Sequence, residues 1–236
     1  MSEPTKYFNF PISLLQGFLD NKNKCLLNIL DYAIYTHANN NVEEEEFLEA
    51  EILESLEYFS VNTGSIDSLI ANGENLYYSN TSCKVITGIN TSIFWDYKTN
   101  HKSKFEDVVL LAYLSLRSIV QKKAYCKVTN LFLLSRMDGH SSSVTEGQQL
   151  SDKIKVFNNE YQIKKIKAEL SDNWGLVHYG RYTRGFYVSF TMELEDLIYQ
   201  VEKKRKSRKL KQQKNERKNA LENALKRLEQ DDEATK

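Results

Sequence analysis

Proline is nearly missing from this chain and glycine is sparse, with two prolines and nine glycines in 236 residues. That excludes collagen-like and low-complexity composition and favours helices joined by short turns. Cysteine is equally thin. Cys25, Cys83 and Cys126 form an odd, scattered set without a CxxC pair, which excludes a disulfide framework and fits free thiols in a reducing cytoplasm. No apolar run nears the ~18 residues of a membrane span. The opening MSEPTKYFNF has no basic segment followed by an apolar stretch, so no signal peptide is expected.

Catalytic signatures are absent too. His37, His101, His140 and His178 are isolated, and no pair has a metal-ligand spacing such as HExxH. There is no P-loop, no GxGxxG and no GxSxG. Tyr179, Tyr182 and Tyr187 lie near two arginines, but alternating aromatics in a hairpin are explained by cross-strand packing. The expectation is a protein that is not an enzyme and has no metal and no cofactor.

What is present is a core and a split of charge. Hydrophobic residues make up 41% of the chain and aromatics 11%. Residues 1–100 hold five Lys/Arg against fourteen Asp/Glu, a net of −9, and residues 101–236 hold 27 against 18, a net of +9. Such asymmetry points to an acidic half and a basic half with different partners. Three parts are expected: an acidic helical domain over 1–100, a second domain over 101–192 and a basic tail over 193–236.

In the acidic part, Phe10 to Phe18 and Lys24 to Ala38 have helical spacing, the latter through Leu26, Ile29, Leu30, Ala33 and Ile34. Asn39 to Asn41 is expected to break that helix. A third runs from about Val42 to Phe59, with Glu43 to Glu46 in its first turns, where negative charge suits the helix dipole. Those glutamates are a solvated helix start or a docking patch for a basic protein partner. A further helix is expected from Ile66 to about Gly73. Cys83 to Asn100 is poorly periodic and has no assignment.

The basic half is clearer. FEDVVLLAYLSLRSIVQKK, 105–123, is a helix buried on most sides; AYCKV supplies a short strand. TNLFLLSRMDG, 129–139, opens on the cap-capable Thr129 and stops at Gly139. A polar insert follows, in which SDKIKVF adds a turn or strand. NNEYQIKKIKAELSDNWGLV, 158–177, aligns Ile163, Ile166, Leu170 and Trp174 on one face. Two β-prone runs then flank a turn, GLVHYGRYTRGFYVSF.

Helix, strand, helix, helix and hairpin is the order of a winged helix-turn-helix, and residues 105–190 resemble that superfamily. The resemblance rests on this order and on IKKIKAELSDNWGLV…RYTRGFYVSF, where Leu170, Gly175, Leu176 and Val177 match the lead into a wing. The insert between Gly139 and Asn158 departs from the pattern. The fold class expected is mainly α: a helical N-terminal part, a winged domain with a β-hairpin wing and a long C-terminal helix.

The resemblance implies that the helix 158–173 enters the major groove of double-stranded DNA and reads base edges with the side chains opposite its apolar stripe. These are Asn158, Tyr161, Lys165 and Ala168, flanked by Gln162 and Lys164. Arg181, Tyr182 and Arg184 of the wing would meet the backbone or minor groove. Winged helices also serve as protein-binding modules, and fold alone does not settle function.

Residues 192–230 contain no proline or glycine and read as one long helix. Its middle, Lys203 to Lys218, holds ten Lys/Arg and one Glu. Lys203, Lys204, Arg205, Lys206, Arg208 and Lys209 lead this block, which either neutralises phosphates or is a solvated charge run. Leu221, Leu225 and Leu228 form a narrow stripe suited to weak homodimerisation. The sequence therefore predicts a non-catalytic, cytoplasmic DNA-binding protein with no membrane contact, a transcription regulator or a replication initiator. The competing reading is a protein-interaction adaptor without nucleic-acid binding. The two differ in whether the cations share one exposed face.

Overall fold

Strand β1 (Tyr7–Pro11) alternates from Tyr7 to Phe10, with Phe8 and Phe10 fully buried and Tyr7 and Asn9 exposed. This two-residue period marks a strand with one face on a core. It corrects the expectation of a helix over Phe10 to Phe18: only a single 3₁₀ turn, Ile12–Leu15, follows the strand. The chain is described by a computed structural model over residues 5–42, 47–62, 65–145, 149–182 and 185–234, with side chains to 223 except those of 181 and 182.

Helix α1 (Lys22–Asn41) starts where the Asn21 side chain accepts a hydrogen bond from the Lys24 amide. It runs through Asn39–Asn41, the residues expected to break it. Packing as far along as the fully buried Ala38 holds the last turn against weak local propensity. Helices α2 (Leu48–Phe59) and α3 (Ile66–Ser79) both lie against α1. Glu43 to Glu46 fall outside the described residues. Helix α3 does not end near Gly73 as expected; it continues to Ser79. Gly73 is instead a point of contact, because a Cβ there would lie 2.6 Å from Tyr35 Cβ and 2.8 Å from the Asp31 carbonyl oxygen. Beside it, Asn72 donates to the buried Asp31 carboxylate at 2.7 Å.

The stretch 83–100, unassigned from sequence, forms β2 (Ile86–Asn90) and α4 (Thr91–Thr99). Strand β2 pairs antiparallel with β1, from Tyr7 opposite Asn90 to Pro11 opposite Ile86. Its partner lies about 80 residues away in sequence, so local periodicity carries little sign of it. Asn90 caps α4 by accepting from the Ser92 amide.

Helix α5 (Lys104–Val120) opens with a reciprocal capping box between Ser103 and Glu106. Eleven of its 17 residues are buried. The first half of the chain covers one side: the Thr87 hydroxyl donates to the Leu114 carbonyl at 2.8 Å, and Lys22 pairs with Asp107 at 3.0 Å. One apolar core consequently runs from Phe8 to Val188, across the polar segment 98–104.

The other side of α5 is covered by β3 (Cys126–Thr129), α6 (Asn130–Met137) and α8 (Glu160–Asn173); the hairpin β4 (Val177–Tyr182) and β5 (Gly185–Ser189) packs on α8 and pairs with β3. Thr129 caps α6 as expected, accepting from the Phe132 amide. The strands form one antiparallel sheet in the order β3-β5-β4. Its register is irregular between Tyr179 and Tyr182, where Gly180 and Arg181 together face Phe186, a β-bulge. The insert contains α7 (Asp152–Lys155), a single turn. It is tied down at Ser151, whose amide and hydroxyl both donate to the buried Asp138 carboxylate at 2.6 Å.

The fold is mainly α and ends in α9 (Leu194–Ala234), 41 residues long. Leu197 and Val201 are buried against the hairpin. Every residue from Lys203 to Asn223 is exposed. No helix among the described residues is long and apolar enough to cross a membrane.

Gly73 gives a test of the α1–α3 packing. Glycine to alanine inside a helix ordinarily gains about 1 kcal/mol, whereas overpacking a tight contact costs about 1–3 kcal/mol. Gly73→Ala is expected to destabilise by about 0–2 kcal/mol in urea unfolding. A rise in the midpoint would mean that α3 steps away from Tyr35 without penalty.

Candidate nucleic-acid interface

Helix α8 has the amphipathic division its spacing predicts. Ile163, Ile166 and Leu170 are buried, and Trp174, at the C-cap, packs against the core at 4.6 Å from the Tyr113 ring. The helix begins two residues later than expected. Asn159 is its cap, accepting from the Gln162 amide at 2.9 Å, and Asn158 precedes the helix as an exposed residue. The opposite face is bare: Tyr161 is 72% exposed, and Lys164, Lys165 and Ala168 are exposed with it. Gln162 is half-buried.

The lysines of this helix differ in how they are held. Lys164 pairs with Glu160 one turn back at 2.8 Å, a solvent-exposed pair of the kind that adds little to stability. A phosphate can take that lysine over at little cost. Lys165 sits with its ammonium 4.2 Å above the Phe105 ring, a cation–π contact that aims it without neutralising it. Lys167 is different. It turns inward over Phe186 at 4.8 Å, and burial, with Lys164 nearby, lowers its proton affinity.

Next to Lys167, His178 on β4 meets the Ser171 hydroxyl at 3.0 Å and packs edge-on against Phe186. Burial, then Lys167, pushes its pKa below the ordinary value. His178 thus joins α8 to the hairpin through Ser171. From sequence alone His178 is merely isolated and Lys167 merely a solvated lysine; contacts distant in sequence define both.

The hairpin separates two faces. Phe186 and Val188 are buried in the core on the α8 side, and Val128 of β3 joins them. Tyr179 and Tyr187, paired across β4 and β5, point the other way, and the Tyr179 hydroxyl donates to Glu202 of α9. Helix α9 therefore lies on the face of the sheet opposite α8. Arg181 and Tyr182 lie in β4, but their side chains are outside the described residues, as is Arg184 entirely.

In α9, Lys203, Lys204, Arg205, Lys206, Arg208 and Lys209 are all exposed. Arg205 lies 3.7 Å from Glu202, and Lys204 lies over the Tyr125 ring at 4.6 Å. Leu221 is 62% exposed; the side chains of Leu225 and Leu228 are outside the described residues. Among the described residues the predicted cations therefore form two groups, one on α8 and one on α9, divided by the sheet.

A further concentration of charge has no sequence signal. It surrounds a cleft of about 600 Å³ between the end of α5, β3, α6 and α9, and Arg136 of α6 is its buried member. Among the described residues, no group of three or more His, Cys, Asp or Glu is arranged to hold a metal, and the three cysteines are unbridged. Comparison with protein-family models, curated proteins and solved structures found no match for this chain.

His178 and His37, the latter bonded to Ser55 at 2.9 Å, are both pushed by burial below the unperturbed 6.5. Between the folded value and 6.5 the unfolded chain binds more protons, so stability rises with pH in that window and is lost as pH falls through it. Urea midpoints at pH 7.5 and pH 5.5 are expected to fall with acidity (about one unit either side of the histidine range). His178→Gln should reduce that fall, and an unchanged fall would assign the slope to other groups.

Proposed function

We propose that this protein is a non-catalytic binder of double-stranded DNA built on a winged helix-turn-helix, acting in a reducing cytoplasm as a transcription regulator or replication initiator. Helix α5, strand β3, helices α6 and α8 and the β4–β5 hairpin follow the winged-helix order, and the sheet order β3-β5-β4 puts the hairpin beside the first strand. The observation that carries the reading is the bare outer face of α8, with Tyr161, Lys164 and Lys165 exposed while its other face is packed. A helix of this width fits the major groove. Gln162 suits adenine, Lys165 suits guanine or phosphate, and Asn158 and Lys164 sit at the helix entrance within reach of backbone.

In this reading Arg181, Tyr182 and Arg184 bring the wing to the duplex. The basic run of α9, starting at Lys203, adds sequence-independent affinity from a helix that extends ~60 Å at ~1.5 Å per residue. A weak homodimer through Leu221 would bring two such arms together.

The separation of the α8 and α9 cations by the sheet favours a second reading, in which the protein is an adaptor. There, α9 stays solvated and the acidic first half meets a basic protein partner.

Fluorescence anisotropy on duplex DNA at several salt concentrations distinguishes the two. The combined Gln162→Ala and Lys165→Ala change is expected to lower the ratio of selected-site to random-sequence affinity by about tenfold or more, since one bidentate base pairing is worth about 1–3 kcal/mol. An unchanged ratio would remove α8 from base reading. Deleting Lys203 to Lys236 is expected to flatten the slope of log K against log salt by about 0.9 for each phosphate that the tail neutralises. An identical slope would make the tail a bystander, and no duplex binding by the intact chain would leave the adaptor.

A further inference from the structure

The cleft on the α9 side of the sheet shares Lys204, Arg205 and Arg208 with the basic run given to DNA, but its other cations and its buried polar groups have no part in that reading. Six cationic side chains line it: Lys123, Lys127, Arg136, Lys204, Arg205 and Arg208. No Asp or Glu is among its lining residues. Charges of one sign gathered around a concave site attract the opposite sign more strongly than the same charges on a flat surface.

Arg136 makes the cleft more than a basic patch. It is only 6% exposed, yet its Nε and Nη1 meet no hydrogen-bond acceptor among the described residues. Its guanidinium lies 5.0 Å from the ring centre of Phe132, another lining residue, so the charge is held at the cleft wall. A buried guanidinium stays charged, and a buried charge without a partner is among the costliest arrangements in a protein. Such a group calls for an explanation, and an anionic ligand is the simplest. A second orphan lies in the same wall: the Tyr125 hydroxyl is buried with no hydrogen-bond partner among the described residues, and Tyr125 lines the cleft with its ring under Lys204.

These features define a ligand. The guanidinium fork matches the paired oxygens of a phosphate. The cations from Lys123 to Arg208 suit more than one phosphate group. The aromatic rings of Tyr125, Phe132 and Tyr187 offer flat apolar surface beside them. A volume of about 600 Å³ lies within the range of small-molecule pockets and holds a nucleotide.

We propose that this cleft binds a nucleoside polyphosphate, with Arg136 as the buried phosphate anchor and Lys204 and Arg205 as rim cations. The site lies across the sheet from α8 and does not depend on the DNA reading. One wall of the cleft is α9, through Val201, Lys204, Arg205 and Arg208. A bound polyphosphate therefore draws the start of the basic helix onto the body and neutralises its first charges.

The test uses the full chain in buffer free of phosphate and sulfate, with calorimetry and thermal melting against ATP, inorganic tripolyphosphate and random duplex DNA. ATP is expected to bind once per chain and more tightly than tripolyphosphate; equal affinity would overturn the nucleoside assignment. Arg136→Met is expected to weaken ATP at least tenfold. The unliganded variant should melt at the same temperature as the parent or higher, because it loses an uncompensated buried charge. A lower melting temperature with ATP binding unchanged would make Arg136 a structural residue and overturn its anchoring role. Lys204→Ala with Arg205→Ala, both exposed and safe for folding, should weaken ATP several-fold. No saturable ATP binding, or binding untouched by both variants, would overturn the site. Duplex affinity should be unaltered by Arg136→Met; a parallel loss of DNA and ATP binding would assign the cleft to DNA phosphates instead.

Discussion

Helix α5 has to be covered on nearly every side, and the rest of the molecule is arranged to do it. A helix with buried residues at consecutive positions from Val108 to Ala112 has no solvated stripe over that stretch. One flank is closed by the β1–β2 pair and the 3₁₀ turn after β1; the other is closed by α6, α8 and β3. Neither half of the chain can bury α5 alone, and so a single core crosses the polar segment at 98–104. The hydrogen bond from Thr87 to the Leu114 carbonyl is the clearest sign of this dependence. It joins a strand of the acidic half to the central helix of the basic half inside the core.

The three-stranded sheet sets the second constraint. Side chains alternate along a strand, so a short sheet with a packed inner face has to present its other residues outward. Here the inner set, Val128, Phe186 and Val188, is aliphatic or aromatic and fully buried. The outer set, Lys127, Tyr179 and Tyr187, is amphipathic and faces the side on which α9 lies. That alternation keeps α8 free on one side and fixes the root of α9 on the other. The cleft exists because α9 covers β5 and β4 but leaves the β3 edge open, where Lys127 and Tyr125 meet the end of α5.

Some parts of this are plain in the sequence. The stripe Ile163, Ile166, Leu170 and Trp174 is legible because helical spacing reports directly on burial, and Thr129 is legible because capping is local. The strands β1 and β2 are not. Each is five residues long and paired only with the other, across the length of three helices. Phe10 to Phe18 also satisfies a helical pattern, so spacing alone does not decide. Gly73 misleads for a related reason: glycine in a helix signals an end or a close approach, and only the position of Tyr35 distinguishes them. The bare face of α8 is readable from sequence, whereas Arg136 is not, because burial of a charged residue comes from what lies beside it.

The contrast between Lys164 and Arg136 bears on how charge is used in this protein. Lys164 is exposed and paired with Glu160, so its desolvation is small and its partner is exchangeable. Charges of that kind contribute salt-sensitive, unselective attraction. In Arg136, Nε and Nη1 are shielded from bulk solvent in the fold and have gained no acceptor among the described residues. The cost of stripping it has been met before any ligand arrives, so an anion that reaches it recovers the full interaction in a low dielectric. A fold that only needed positive surface would leave such a residue in solvent beside Lys203 and Lys206. Holding it inside the wall of a cleft instead is what a preorganised anion site requires, and it is the physical ground for treating the two faces of the sheet as separate sites.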